Sequence, residues 1–225
     1  TADDLRLQLE QKLKRAGEAV ERAGKALTQA RKKAGERLEQ RIQKELRELD
    51  MEKVRFSVDF AAKEPGTDGC DTVRFLMSAN AGEALRPISK IASGGELARI
   101  MLALKNVLAE QEQIATLVFD EVDTGVSGRA AQKVAEKLAQ LACHKQVLCV
   151  THLPQLAAMA GTHFLVEKGE QNGRTFTKVV ELDREARKAE IARITGGSQV
   201  TDALLASAAD ILDQAAAYRA QLRER

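Results

Sequence analysis

The first fifty residues carry apolar side chains at steps of three and four on a strongly charged background. This spacing places the apolar residues on one stripe of a helix, in the heptad pattern of a helix that packs on another helix. After Ala30 every step is four, a stutter that locally unwinds a left-handed coil. The pattern predicts a coiled-coil helix over residues 1–50. Its stripe comprises Leu9, Leu13, Ala16, Val20, Ala23, Leu27, Ala30, Ala34, Leu38, Ile42 and Leu46.

This helix has no partner strand within the sequence, so we expect its partner to come from another chain or from a further part of the same protein. The sequence begins at Thr1, without a Met and inside the helical pattern, which suggests a fragment or a processed chain. The alternative is a surface helix docked on its own domain. We favour it less, because nearly fifty residues without a stop signal is long for a globular helix.

From Met51 onward the residue pattern is typical of a globular lobe, which we expect to span residues 51–225. Alternating apolar and polar residues predict strands at 54–60 and 72–77, joined by a turn at 65–69.

Further along, short apolar segments alternate with helical ones. Segments 116–119 and 146–150 predict buried strands, and helices are expected at 96–110 and 128–141. A hairpin is predicted over residues 163–182, turning at 171–173, with helices after it. The expected fold class is α/β, a mostly parallel sheet with flanking helices and antiparallel additions.

Composition narrows the possible functions. Of the 225 residues, 44% are hydrophobic, which is enough for a sizeable core, and the net charge of +2 neither requires nor excludes DNA. Three cysteines without CxxC spacing argue against a disulfide framework or a zinc site and favour a reducing compartment. The sequence has neither a signal-peptide pattern nor an apolar run of membrane-spanning length, so we expect a cytoplasmic protein with no membrane partner.

Two adjacent carboxylates follow the predicted strand at 116–119. Asp120 suits Mg²⁺, a hard cation that prefers oxygen ligands, and Glu121 could orient or deprotonate a water that attacks a γ-phosphate. The alternative is an ordinary polar turn at the end of a strand.

Glycines precede the predicted helix at 96–110. Gly94 and Gly95 allow backbone amides to approach an anion, Ser93 adds a hydroxyl donor, and the helix N-terminus adds partial positive charge. The alternative is a plain helix cap, because Ser93 and Glu96 have the spacing of a capping box.

Two more candidates follow strands. His152 comes directly after the segment at 146–150, where an imidazole could contact a γ-phosphate or the attacking water, although a lone histidine is more often structural. The Gly-rich loop that starts at Asp123 comes straight after the paired acids, and its plainer reading is a simple connection between a strand and a helix.

The order of these segments is more specific than any one of them. Ser-Gly-Gly-Glu at 93–96, Asp-Glu at 120–121, the loop at 123–128 and Thr-His at 151–152 resemble the signature loop, Walker B strand, D-loop and H-loop of ABC-type ATPases. With the coiled-coil helix before them, they resemble the SMC-like group. Segments 91–99, 119–128 and 150–157 are closest to a bacterial branch of that group that acts in DNA double-strand-break repair and recombination.

The resemblance implies a role for each matching residue in an ATP-hydrolysing head. Asp120 would hold Mg²⁺, Glu121 would be the catalytic base and His152 the switch histidine. The nucleotide of a second head would be contacted by Ser93, Gly94, Gly95, Glu96 and Asp123. The resemblance also implies ATP and Mg²⁺ as cofactors, and a second head, the N-terminal lobe of the same protein and DNA as partners. Such a protein would work in the bacterial cytoplasm, on the nucleoid during repair.

The phosphate-binding loop is missing from the sequence, because the pattern Gly-x-x-x-x-Gly-Lys-Ser/Thr occurs nowhere in it. In SMC-like proteins that loop belongs to an N-terminal lobe, and the helix at 1–50 would be the returning strand of an antiparallel coiled-coil arm. We therefore predict that the chain alone is inactive and that the full protein is an ATPase. Two alternatives are a non-enzymatic coiled-coil interaction module and a DNA-binding adaptor that uses the basic residues Arg31, Lys32, Lys33 and Arg37.

Overall fold

A computed structural model describes residues 2–78, 82–90, 94–109, 111–171, 174–197 and 199–224. The chain divides into two compact units, one of Thr1–Arg47 with Met51–Ile91 and one of Glu48–Asp50 with Ala92–Arg225. This division differs from the predicted boundary at residue 50, because the first hairpin packs on the long helix and forms one unit with it.

The first unit consists of a long helix and a small antiparallel sheet. Helix α1 spans Ala2–Glu48, as the heptad pattern predicts. Strands β1 (Arg55–Gly66) and β2 (Gly69–Ser78) form the predicted hairpin, and the short strand β3 (Arg86–Pro87) pairs with β2. A turn of 3-10 helix, Ile88–Lys90, follows.

Helix α1 exposes the first part of its heptad stripe and buries Ile42 and Leu46 at the end of it. The stripe is open to solvent along its first thirty residues, with Leu13 75% exposed and Val20 50% exposed. The hairpin instead lies against Gly24 and Gly35, both buried. Only glycine leaves room here, because a Cβ at Gly24 would lie 2.6 Å from the Sγ of Cys70.

Polar contacts fix the hairpin on this glycine-lined face. The Thr28 hydroxyl donates to Asp71 Oδ1 over 2.8 Å, and Arg31 Nη2 donates to the Asp68 carbonyl over 2.7 Å. The Val58 amide donates to Glu39 Oε1 over 2.6 Å. Arg31, one of the basic residues considered for DNA, therefore also contacts the hairpin.

The second unit contains the predicted alternation of strands and helices. Helices α2 (Gly94–Leu108) and α3 (Gly128–Ala142) accompany strands β4 (Thr116–Phe119) and β5 (Gln146–Cys149), which pair in parallel. Helix α4 (Pro154–Met159) leads to the antiparallel hairpin β6 (Phe164–Gln171) and β7 (Arg174–Glu181). Helices α5 (Arg184–Gly196) and α6 (Asp202–Arg223) complete the chain. The hairpin turn predicted at 171–173 falls largely outside the described residues.

The parallel pair buries only one of its faces. Phe119 is 7% exposed, whereas Val118 is 67% exposed and Leu148 is 48% exposed. The prediction of fully buried strands is therefore wrong for β4 and β5. Parallel sheets are normally covered on both faces, so this pair leaves an apolar face without a cover in the described part of the chain. Parallel pairing among the described strands is limited to β4 and β5.

Among the described residues, no helix is both long enough and apolar enough to cross a membrane.

The tight fit at Gly24 yields a first prediction. We expect Gly24→Ala to lower the free energy of unfolding of the first unit by about 1–3 kcal/mol, because the new methyl group overlaps Cys70 Sγ. The loss should shrink in the Cys70→Ala background, where that sulfur is absent. Urea denaturation followed by circular dichroism measures both. Gly17→Ala is the matched control, because nothing lies within 4 Å of its new Cβ, and an equal loss there would contradict the packing argument.

The histidine at the start of β6 yields a second prediction. Burial lowers the pKa of His163, the nearby positive charge of Arg187 lowers it further, and Glu190 opposes both. The unfolded chain, with a histidine pKa of about 6.5, therefore binds more protons than the folded chain at mildly acidic pH. We expect the free energy of unfolding to fall as the pH drops below about 6.5. Denaturation of His163→Gln should show a flatter pH dependence than denaturation of the unchanged chain, and an equally steep dependence would contradict this cause.

Candidate functional site

The carboxyl ends of β4 and β5 lie side by side. Their parallel register pairs Phe119 with Cys149, and the Val150 amide donates to the Phe119 carbonyl over 3.0 Å. The two residues after β4 and the two after Val150 therefore leave the same edge of the sheet. This is the edge at which α/β folds collect their ligands.

Both paired acids are exposed at this edge. The Glu121 amide donates to Asp120 Oδ1 over 3.0 Å, which holds the first carboxylate against the turn. Glu121 has a φ of 58°, a left-handed conformation that is unusual for a residue with a side chain. The Thr124 amide donates to the Glu121 carbonyl over 3.1 Å and closes the turn. Such conformations cluster at functional sites.

Asp123 is the buried centre of the site. Its side chain is 3% exposed, and its Oδ2 accepts from the Thr151 hydroxyl over 2.5 Å and from the His152 amide over 3.0 Å. The Nδ1 of His152 lies 3.2 Å from the same oxygen. Thr151 Oγ1 in turn accepts from the Leu153 amide over 3.0 Å.

This arrangement orients the imidazole. If Nδ1 carries the proton and donates to Asp123, Nε2 is left as an acceptor directed away from that carboxylate. The His152 side chain is 76% exposed, so Nε2 is available to a ligand. An Asp–His pair of this kind fixes a tautomer, as in hydrolytic sites where a carboxylate orients a histidine.

The amino end of α2 packs on the loop after the paired acids. A Cβ at the buried Gly95 would lie 2.7 Å from the Thr124 carbonyl oxygen, so only glycine permits this approach. Arg99 Nη1 donates to the same carbonyl over 2.8 Å. The structure thus joins the glycine segment and the Asp123 loop into one surface. Gly94 begins α2, Glu96 is half-buried in its first turn, and Ser93 lies outside the described residues.

The negative charges of the site act on the neighbouring Cys149 thiol. Burial raises the pKa of the Cys149 thiol to about 12, and the negative charges of Asp123 and Asp120 add to this shift. The thiol is therefore protonated and inert at neutral pH. No group of three or more Asp, Glu, His or Cys residues within the described ranges could hold a metal ion unaided. The exposed Asp120 has the oxygen donors that Mg²⁺ prefers, and Mg²⁺ completes its shell with waters and phosphate oxygens.

Sequence patterns missed two of the residues that shape this site. The sequence pattern indicates that Arg99 is an ordinary charged residue of an amphipathic helix, and it marks Thr151 only as the neighbour of His152. One local signal pointed to Arg99, which lies four residues after Gly95 and so on the same side of α2. The Thr-His motif included Thr151, but no signal pointed to its bond with Asp123, because the two residues are 28 apart in sequence.

Comparison with known proteins identifies close relatives. No protein-family model matches the chain. It is 43% identical over 222 residues to the DNA repair protein RecN of Halalkalibacterium halodurans. The alignment covers 96% of this chain and 39% of that protein. It is also 43% identical over 213 residues to the DNA repair protein RecN of Bacillus subtilis. That alignment covers 88% of this chain and 37% of that protein. The chain thus spans less than two-fifths of the length of each relative.

A solved structure supports the fold. The Smc head domain with a coiled coil and joint from Pyrococcus yayanosii superposes with a TM-score of 0.52 at 16% identity, over 70% of this chain and 29% of that one. At this identity the likeness concerns the fold alone. It confirms the expected fold class, an SMC-type α/β lobe with a long helix.

The central position of Asp123 yields a third prediction. Asp123→Ala should lower the free energy of unfolding of the second unit by about 1–3 kcal/mol, because it removes the buried carboxylate that accepts from the Thr151 hydroxyl and the His152 amide. Nuclear magnetic resonance of the imidazole nitrogens should also show a mixture of His152 tautomers. Asp120→Asn is the matched control, since it changes an exposed acid and should stay within about 0.5 kcal/mol. Equal stability of Asp123→Ala and the control would refute the central role of Asp123.

Proposed function

Because this chain belongs to the RecN family of DNA repair proteins and matches its C-terminal part, we propose that it forms the C-terminal half of an SMC-like ATPase head. In this proposal the full protein binds and hydrolyses ATP at an interface between two heads. The chain supplies the metal-binding acid, the catalytic acid and the switch histidine of one site, and the signature segment of the other.

The observation that carries the proposal is the shared edge of β4 and β5. Asp120 and Glu121 follow one strand there, and His152 follows the other. The buried Asp123 accepts a hydrogen bond from the His152 amide and so links the two strand ends. An interaction module needs no such convergence of carboxylates and imidazole. Phosphoryl transfer does, because it depends on positioned charge around the transferred group.

Asp120 would contribute the oxygen ligand for Mg²⁺, directly or through water. Its Oδ1 is fixed by the Glu121 amide, and Oδ2 accepts no hydrogen bond from the described residues, so the carboxylate is preorganised with one oxygen available. Bound Mg²⁺ would neutralise phosphate charge and orient the β- and γ-phosphates.

Glu121 would position or deprotonate the attacking water. The left-handed backbone at this residue turns the chain sharply after Asp120, so two adjacent acids can serve different partners. His152 would act beside it, with Asp123 holding Nδ1 and Nε2 directed to the γ-phosphate or the water. General acid–base groups of this kind contribute about 10²–10⁴-fold to the rate.

The amino end of α2 would bind the nucleotide of the second head. Ser93, Gly94 and Gly95 would offer hydroxyl and amide donors to its γ-phosphate, with the helix terminus adding partial positive charge and Glu96 beside them. The Asp123 loop would lie at the same interface. Within this chain its carboxylate is engaged by Thr151 and His152, so Thr124 and the glycines after it are the parts of the loop that a second head would meet.

The N-terminal lobe of the same protein would supply the phosphate-binding loop, whose motif this sequence lacks. The apolar face of the parallel pair supports a covering lobe, because Val118, Leu148 and Val150 are 67%, 48% and 64% exposed. For the full protein we propose ATP-dependent pairing of heads, coupled to DNA double-strand-break repair and recombination in the cytoplasm. Direct DNA binding by α1 is a second candidate function, favoured by the exposed Lys32, Lys33 and Arg37.

An ATPase reconstitution tests the main proposal. We expect no Mg²⁺-dependent ATP turnover by the chain alone, because each missing charge-assisted phosphate contact is worth about 1.5–3 kcal/mol. A mixture with the N-terminal lobe of the same protein should hydrolyse ATP. Glu121→Gln should reduce that turnover at least about 100-fold while ATP still binds. The exposed acid variant Glu181→Gln should leave turnover unchanged.

Two outcomes would contradict the proposal. One is saturable ATP hydrolysis by the pure chain that Glu121→Gln abolishes, which would mean that no second lobe is required. The other is an inactive mixture in which both parts are folded and associated, which would favour an interaction module.

A further inference from the structure

Two arginines from the C-terminal helices converge on the end of α4. Arg187, on α5, donates through Nη2 to the carbonyls of Ala157, Ala158 and Ala160 over 3.3, 3.2 and 2.8 Å. Arg219, on α6, donates through Nη1 to the carbonyls of Ala158 and Met159, each over 3.1 Å. We call these two residues the arginine clamp.

The clamp satisfies groups that a helix end leaves unpaired. The last carbonyls of any α-helix have no partner within the helix, and they carry partial negative charge. Helix α4 has only six residues, so its stability depends on such external contacts.

Bringing two cations to one short helix is costly in itself. Burial lowers the pKa of Arg187, and the positive charge of Arg219 lowers it further. Arg219 holds the Met159 carbonyl, to which Arg187 does not donate, and both arginines share the Ala158 carbonyl. The two together therefore restrain more of the end of α4 than either would alone.

The residues just before α4 are held at the candidate site by hydrogen bonds. Asp123 holds the Thr151 hydroxyl and the His152 amide, Thr151 holds the Leu153 amide, and the Leu153 carbonyl accepts from the Ala157 amide over 3.1 Å. A continuous series of hydrogen bonds therefore runs from Asp123 to the carbonyls that the clamp holds.

We propose that Arg187 and Arg219 are positioning residues for His152, through which α5 and α6 set the place of the switch histidine. The proposal rests on the function proposed for His152, but its structural part concerns this chain alone. The C-terminal helices thereby gain a role beyond packing. Any partner that moves α5 or α6 would move the loop that carries His152.

The test compares two arginines of the same helix. Arg187→Met removes the clamp contacts from α5, whereas Arg184→Met removes an exposed arginine that pairs with Asp213. Hydrogen exchange of the Ala157 and Ala158 amides reports on α4, and imidazole resonances report on His152. We expect Arg187→Met to speed the exchange at least ten-fold and to shift the His152 resonances, and Arg184→Met to do neither. Arg219→Met should act in the same direction as Arg187→Met.

Conservative variants cover the case in which Arg187→Met does not fold. Arg187→Lys and Arg219→Lys keep the cation but reach fewer carbonyls, so they should give smaller changes of the same kind. A lowered melting temperature with unchanged His152 resonances and unchanged α4 exchange would overturn the proposal, because the arginines would then only stabilise the fold.

The measurements separate this proposal from the ATPase proposal. Neither exchange nor resonance needs ATP, so the clamp is tested even if the reconstituted head is inactive. In an active head, Arg187→Met should lower kcat about ten-fold with little change in KM, since His152 acts after ATP has bound. A ten-fold higher KM at unchanged kcat would overturn the positioning role.

Discussion

The site depends on one buried carboxylate. A carboxylate that is removed from water destabilises a fold unless it accepts hydrogen bonds. Asp123 accepts from the hydroxyl of Thr151 and the amide of His152, and the His152 ring nitrogen lies 3.2 Å away. The donors follow the strand next to the one that Asp123 follows. Their hydrogen bonds to Asp123 therefore fix the separation of the two strand ends. The paired acids lie just before Asp123, and Thr124 just after it contacts Gly95 and Arg99. One constraint thereby places all three motif segments of the second unit.

The helices were predictable because periodicity reports on them directly. Residues 128–141 were expected as a helix, and α3 spans Gly128–Ala142. The order of the motif segments also placed Asp120 and His152 at the ends of strands. The exposure of β4 and β5 was not predictable, because a four-residue apolar run has the same pattern whether one face or both faces are covered. The role of Asp123 was missed for a related reason, since its partners lie 28 residues away and sequence spacing carries no trace of them.

In helix α1 the heptad pattern obscures a second feature, the glycines that contact the hairpin. The first part of its heptad stripe is exposed, Ile42 and Leu46 at the end of the stripe are buried, and Gly24 and Gly35 admit the hairpin. Glycine inside a helix weakens it by about 1 kcal/mol relative to alanine, so these positions read as imperfections in a long coiled-coil helix. Their reason appears only when Cys70 and Phe60 are seen against them. The contacts of Arg31 were not predictable for the same reason, because its partners Asp71 and Asp68 are distant in sequence.

Two of the apolar surfaces that are open in the described chain are the first thirty residues of the α1 heptad stripe and the outer face of β4 and β5. They have different periods, one fitted to a helix and one to a sheet, so they call for different partners. The sheet face lies beside the strand ends from which Asp120 and His152 emerge. A lobe that covered it would therefore bring its own loops to the same edge, where this sequence offers carboxylates and an imidazole but no phosphate-binding loop. This complementarity, more than any single motif, is why a composite ATPase site explains the chain better than a free-standing interaction module.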